Sequence, residues 1–292
     1  MKFESLVGNT PIVQLENLGI KPSVKLYAKL EGSNPGGSVK DRAAFGMISA
    51  ALERGDINKD SKLIEATSGN TGIALAMIAC RFGLKLTLLM PESATRERVL
   101  SMKAYGAEVI LTPAEKTITY SRELAMKMAK EEGYHLFNQF DNPDNYKMHE
   151  RTTGPEIWRD TNQEITHFVS SMGTTGTIMG VSRYLKAQNN NVQIVGVQPK
   201  EGSRIPGIRR WPKELLPKIF DASRVDQVID VSRDDAVKNA RILANTEGIM
   251  GGMSTGGALT AALQVASQIE SGTIVFINCD RGDRYLSTDL FS

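Results

Sequence analysis

The chain has 292 residues, 41% of them hydrophobic and 23% charged, with a net charge of +2. That length accommodates two lobes with separate cores, and the composition is that of an ordinary soluble globular protein. A charge so near zero, with no Lys/Arg run, excludes a nucleic-acid footprint, and no apolar run is long enough to span a bilayer.

There are two cysteines. Cys80 lies in an apolar helical run and reads as core, whereas Cys279 ends a strand-like run. Two lone thiols give neither a disulfide framework nor a zinc spacing, which points to a reducing compartment. Met1-Lys2-Phe3-Glu4-Ser5 has no signal-peptide pattern, so the expected location is the cytoplasm.

The first strong element is a strand over Val24 to Leu30, stopped by Pro35, Gly36 and Gly37. Ser38 is positioned to cap a helix running through Ala43, Ala44 and Met47. Lys40 then falls on the first turn, beside the positive helix end, where its pKa would be lowered as a Schiff-base lysine requires. A solvated Lys40/Asp41/Arg42 cluster accounts for the same residues equally well.

Leu63 to Ala66 is a short strand, Thr67-Ser68-Gly69-Asn70-Thr71-Gly72 a loop, and Ile73 to Phe82 a helix. The hydroxyls, amide and N–H groups of this loop suit a small carboxylate, or simply a capped helix start. A strand over Leu84 to Met90, a helix over 95–105 and a strand over Ala107 to Leu111 follow. The polar, turn-rich stretch Asn138 to Met148 is the candidate crossing between lobes.

The pattern then restarts. Thr166 to Met172 is a strand, Gly173-Thr174-Thr175-Gly176-Thr177 a loop, Ile178 to Leu185 a helix and Val192 to Val197 a strand. In the loop, glycines let N–H groups converge on an anion and threonines add donors, the form of a phosphate cup; a tight strand–helix turn is the alternative. No lysine follows, so it is not a Walker motif. Gly251 to Gly257 precedes a helix over 258–266 and reads as a capped start, and Thr273 to Asn278 is a last strand. Alternating strands and helices predict an α/β fold of two parallel-sheet lobes with a ligand cleft between them. His135, His149 and His167 are scattered without metal-ligand spacing and read as structural.

Taken in order, Ser38-Val39-Lys40-Asp41-Arg42, Thr-Ser-Gly-Asn-Thr-Gly and Gly-Thr-Thr-Gly-Thr resemble the fold-type II, tryptophan synthase β-like, pyridoxal-phosphate enzymes. More closely, the chain is similar to the O-acetylserine sulfhydrylases, the cysteine synthases. Gly8-Asn9-Thr10-Pro11, Asn138-Gln139-Phe140 and Tyr285-Leu286-Ser287-Thr288 extend the match. Ile208-Arg209-Arg210-Trp211-Pro212 and Asn278-Cys279-Asp280-Arg281-Gly282-Asp283-Arg284 resemble the cysteine synthase B branch.

The resemblance implies roles. Lys40 would hold pyridoxal 5′-phosphate covalently and, once displaced, remove the substrate's Cα proton. Gly173, Thr174, Thr175, Gly176 and Thr177 would bind the cofactor phosphate, Asn70 its 3′-oxygen and Ser254 its ring nitrogen. Thr67, Ser68, Thr71 and Gln139 would hold the substrate carboxylate. Arg209, Arg210 and Trp211 would form a cationic entrance, with a solvated charged loop as the alternative for one arginine. Cys279 and Asp280 are placed near that entrance without a chemical step.

A serine at the ring nitrogen, rather than an aspartate, suits β-elimination and disfavours racemisation and transamination. The implied reaction is β-replacement on O-acetyl-L-serine by sulfide or thiosulfate, giving L-cysteine or S-sulfocysteine. The implied lobes are a smaller mobile one, 36–144, and a larger one, 1–35 with 145–292. A homodimer is implied as well, while a serine acetyltransferase complex is doubtful. The alternatives are a serine/threonine dehydratase or cystathionine β-synthase-like lyase, which the end at Ser292 leaves without a regulatory domain, or a non-catalytic phosphate-ligand binding protein.

Overall fold

The computed structural model describes residues 3–292; Met1 and Lys2, included in the signal-peptide reading above, lie outside the described residues. The chain forms two units. One takes in the residues up to Val7 and Lys40–Asn145, the other Gly8–Val39 and Tyr146–Ser292. The N-terminal residues therefore group with the smaller unit rather than with 8–35.

In chain order, β1 (Ile12–Leu15) and β2 (Val24–Leu30) open the larger unit as an antiparallel pair. The smaller unit follows: α1 (Lys40–Arg54), β3 (Lys62–Ala66), α2 (Asn70–Phe82), β4 (Lys85–Pro91), α3 (Arg96–Ala104), β5 (Glu108–Thr112), α4 (Thr117–Glu132) and β6 (His135–Leu136). Its four-stranded sheet runs β5-β4-β3-β6, every pair parallel. Parallel strands buried on both faces read as largely apolar runs, as Leu86 to Met90 does in β4 with Thr87 its one polar residue. One face packs Leu63, Leu86 and Leu88 against α1 and α2, and the other packs Ile64, Ala66 and Leu89 against α4. The α2 helix is buried from Thr71 to Ala79 and stops at Gly83. That glycine adopts φ +68° and returns its N–H to the Ala79 and Cys80 carbonyls, a left-handed termination that favours glycine.

The chain leaves the smaller unit within α5 (Pro143–Arg151). It continues through α6 (Thr153–Asp160), β7 (His167–Ser171), α7 (Gly176–Gln188), β8 (Gln193–Pro199), β9 (Gln227–Val231), α8 (Arg233–Glu247), α9 (Met253–Gln268) and β10 (Gly272–Asn278). The six-stranded sheet has the order β1-β2-β10-β7-β8-β9, with only the β1–β2 edge pair antiparallel. Strand alternation assigns its two faces. Ile274 and Phe276 of β10 pack with α8 and α9, while Val275 and Ile277 pack with α6 and α7. The α8–α9 contact is so close that a Cβ on Gly256 would lie 1.9 Å from the Ala236 carbonyl oxygen, so only glycine fits there.

Several boundaries differ from the sequence reading. Helix α1 begins at Lys40, two residues after Ser38, which is buried and forms an isolated antiparallel bridge with Asp280. Helix α2 starts at Asn70 rather than Ile73, and α9 at Met253 rather than 258, so Asn70 and Ser254 sit on helical first turns. Cys80 is exposed, not core: it ends the apolar run beside Arg81, on the outward side of α2. Among the described residues no helix is long and apolar enough to cross a membrane.

Candidate active site

In the smaller unit, Lys40 is the first residue of α1 and is half-buried. The β3 strand ends at Ala66, and Thr67 to Gly69 turn the chain into α2. Thr67 and Thr71 are buried, whereas Ser68 and Asn70 are half-buried. The Thr71 hydroxyl donates to Gln139 Oε1 at 2.8 Å, so the carboxylate-loop candidates Thr71 and Gln139 meet although they are far apart in sequence. Met102 and Thr67 close over Gly72, where a Cβ would fall 2.6 Å from the Met102 methyl. Arg98 of α3 donates to the Ser68 carbonyl at 3.2 Å, a support that the sequence reading missed.

In the larger unit, the cup Gly173 to Thr177 joins β7 to α7, and the helix begins at Gly176. Thr175 adopts φ +70°, a left-handed conformation that costs a threonine about 1–3 kcal/mol and recurs at functional sites. Its Oγ1 is buried without a hydrogen-bond partner. A Cβ on Gly173 would lie 2.6 Å from the Gly207 carbonyl oxygen, so the loop backbone is confined. An anion with several oxygens answers both the orphaned hydroxyl and the open N–H groups at the start of α7. The residues present therefore fit a phosphate.

The surroundings brace this cup. The Trp211 indole donates to the Gly173 carbonyl at 2.8 Å, and the Arg209 N–H to the Met172 carbonyl at 2.9 Å. His149, read as structural, is buried and bonds Thr153 Oγ1 through Nδ1 at 2.9 Å. Its Nε2 lies 3.3 Å from Thr177 Oγ1, so its structural task is to support the loop. Ser254 is buried on the first turn of α9, its carbonyl accepting from the Ser171 hydroxyl at 2.7 Å, with Gly207 packed over its side chain.

The two arginines separate. The Arg209 guanidinium lies over the Trp211 ring at 5.6 Å. Arg210 pairs with Asp230 of β9 and donates from Nε to the Pro199 carbonyl at 2.8 Å. Arg210 is thus held as in the structural alternative, whereas Arg209 sits against Trp211. The Asp280 carboxylate accepts from the Tyr285 hydroxyl at 2.7 Å and the Gly252 N–H at 3.2 Å, which ties it to the start of α9. Half-buried Cys279 donates its N–H to Thr255 Oγ1 at 3.0 Å.

The lysine at a helix start and the hydroxyl-rich loop of the smaller unit, and the confined glycine–threonine cup of the larger, are features suited to an α/β enzyme working with a phosphate-bearing ligand. The chain matches the pyridoxal-phosphate dependent enzyme family over residues 3–280 and belongs to it. Cysteine synthase B of Pseudomonas aeruginosa is 57% identical over 285 residues, 98% of this chain and 95% of that protein. Its Escherichia coli counterpart is 55% identical over 289 residues, 99% of this chain and 95% of that protein. The crystal structure of O-acetylserine sulfhydrylase isoform 3 from Entamoeba histolytica matches with a TM-score of 0.94 at 37% identity, covering 99% of this chain and 91% of that one. The fold is that of the fold-type II enzymes, and the family's cofactor is pyridoxal phosphate.

Proposed function

We propose that the protein is a cysteine synthase: it replaces the acetate of O-acetyl-L-serine with sulfide, breaking the Cβ–O bond and forming a Cβ–S bond. The observation that supports this best is the near full-length 57% identity to a cysteine synthase B. Pyridoxal phosphate supplies an electron sink for the substrate's Cα–H bond.

The chain's own residues do the rest. Gly173 to Thr177 hold the phosphate, Asn70 the 3′-oxygen and Ser254 the ring nitrogen. Thr67, Ser68, Thr71 and Gln139 hold the substrate carboxylate through neutral donors. Lys40 anchors the cofactor and moves the proton at Cα. A serine rather than an acid at the ring nitrogen accepts or donates a hydrogen bond without fixing a positive charge there, which favours prompt loss of acetate.

Thiosulfate is a second sulfur donor in this reading, supported by Arg209, a cation on the Gly207-to-Trp211 segment suited to an anionic donor. We further infer a cytoplasmic homodimer. Mixing the protein with O-acetyl-L-serine and equal sulfide and thiosulfate tests the donor choice. The expected products are both cysteine and S-sulfocysteine, with Arg209→Ala lowering the S-sulfocysteine share. Cysteine alone would remove thiosulfate from the account.

A further inference from the structure

Glu65 lies on β3 two residues before Thr67, and only 4% of it is exposed. Its Oε1 accepts from the Ala66 N–H at 3.2 Å, and Oε2 is buried with no hydrogen-bond partner. Ile64 pairs in parallel with Leu136 of β6, so the segment leading to Asn138 and Gln139 runs beside Glu65. Asn138 adopts φ +48°, a conformation asparagine tolerates, and its Nδ2 donates to Asp141 Oδ2 at 2.9 Å. Gln139 is gripped from the other sides: Asn145 Nδ2 donates to its carbonyl at 2.8 Å, and Thr71 to its side chain at 2.8 Å. A buried carboxyl with one open oxygen therefore lies on the strand beside the segment that carries Gln139.

We propose that Glu65 is a positioning residue for the substrate carboxylate: neutral, it backs the Asn138–Gln139 segment without a charge, and ionised, it places a buried negative charge behind Thr71 and Gln139. This rests on the assignment of those two residues to the substrate carboxylate. Burial raises the Glu65 pKa to about 7, against the pull of the Ala66 N–H, the Arg122 charge and the Asn138 and Gln139 N–H groups. The switch between the two forms thus falls in the working pH range.

The charged neighbours are few. Arg122 of α4 acts on Glu65 directly and lies 4.5 Å from the centre of the Phe140 ring. His135 of β6 has its pKa lowered by burial. Asp141 closes the turn, and the first turn of α1 carries Lys40, Asp41 and Arg42. The β4 residue paired with Glu65 is Leu88, and the buried run of α2 from Thr71 to Ala79 holds no titratable group.

The test is calorimetric titration of the holoenzyme with L-serine, the substrate without its acetyl group, from pH 6 to 8.5. Wild-type affinity is expected to fall about tenfold as the pH rises, with a midpoint near 7. Glu65→Gln should keep the low-pH affinity throughout, and Arg122→Gln should move the midpoint upward. A second readout is thermal. A carboxyl whose folded pKa is raised stabilises the protein below its unfolded pKa, and that contribution is lost as pH rises through about 7. The Tm of Glu65→Gln relative to wild type should therefore climb between pH 5 and 8. Identical serine profiles in wild type and Glu65→Gln would overturn the proposal even with that Tm change, leaving Glu65 purely structural. Wild type that binds no serine at any pH would overturn the carboxylate-site assignment, and this proposal with it.

Discussion

Lys40→Ala is expected to lower the formation of cysteine by about a thousandfold, the scale set by removing a group that moves the proton at a reacting carbon. It should also abolish covalent retention of pyridoxal phosphate. Borohydride treatment of wild type followed by mass spectrometry should leave one reduced cofactor on the peptide containing Lys40, and none in the variant. Lys40 is half-buried on the first turn of α1, so truncation opens no core cavity and the far-ultraviolet spectrum should be unchanged. Full activity in Lys40→Ala, or a reduced cofactor on another lysine, would remove this residue from the account.

Lys29→Ala is expected to have the largest effect on stability. Lys29 lies on β2 and is fully buried. Its Nζ donates to the Thr10 carbonyl at 2.6 Å and pairs with Glu156 at 2.9 Å and Asp160 at 3.3 Å. Glu156 also accepts from the Asn9 N–H at 2.9 Å, so this cation ties β2 and the turn before β1 to α6. Removing one partner of a buried ion pair leaves the others uncompensated, at a cost of about 3–5 kcal/mol. For a unit of this size that is a fall in Tm on the order of 10 °C. Guanidinium unfolding of wild type and variant measures it. A loss below about 1 kcal/mol, as for exposed pairs, would show that the network contributes little.

Lys29 also illustrates what the sequence conceals. The run Val24 to Leu30 is legible as a strand, but nothing local says that its second lysine is buried, because Glu156 and Asp160 come from a distant helix. Arg210 is similar. Beside Arg209 it reads as half of a cationic pair, yet its partner Asp230 arrives on β9, an edge strand of mixed polarity that the apolar pattern does not reveal. Helices α4, α5, α6 and α8 were equally quiet, being rich in charged and polar residues with little apolar patterning. By contrast, β4, β8 and β10 are buried parallel strands whose apolar stretches, Leu88 to Met90, Ile194 to Val197 and Ile274 to Ile277, stand out, and β3 and β7 carry shorter ones.

The two candidate loops were legible as loops for a different reason. Thr67 to Gly72 and Gly173 to Thr177 use small hydroxyl residues and glycines where a strand turns into a helix, a composition shared by anion cups and capped helix starts. Their boundaries were less clear, since the helices start at Asn70 and Gly176, inside the motifs. Glu65 could not be singled out, because a glutamate within a strand gives no sign of its burial or of the Asn138–Gln139 peptide it meets.

The central claim is β-replacement at O-acetyl-L-serine, and the product distribution tests it most directly. The purified protein with pyridoxal phosphate, O-acetyl-L-serine and sulfide is predicted to yield L-cysteine and acetate in equal amounts, with little pyruvate. Pyruvate as the main product, without cysteine, would contradict it and assign the chain to the eliminating lyases of the same fold.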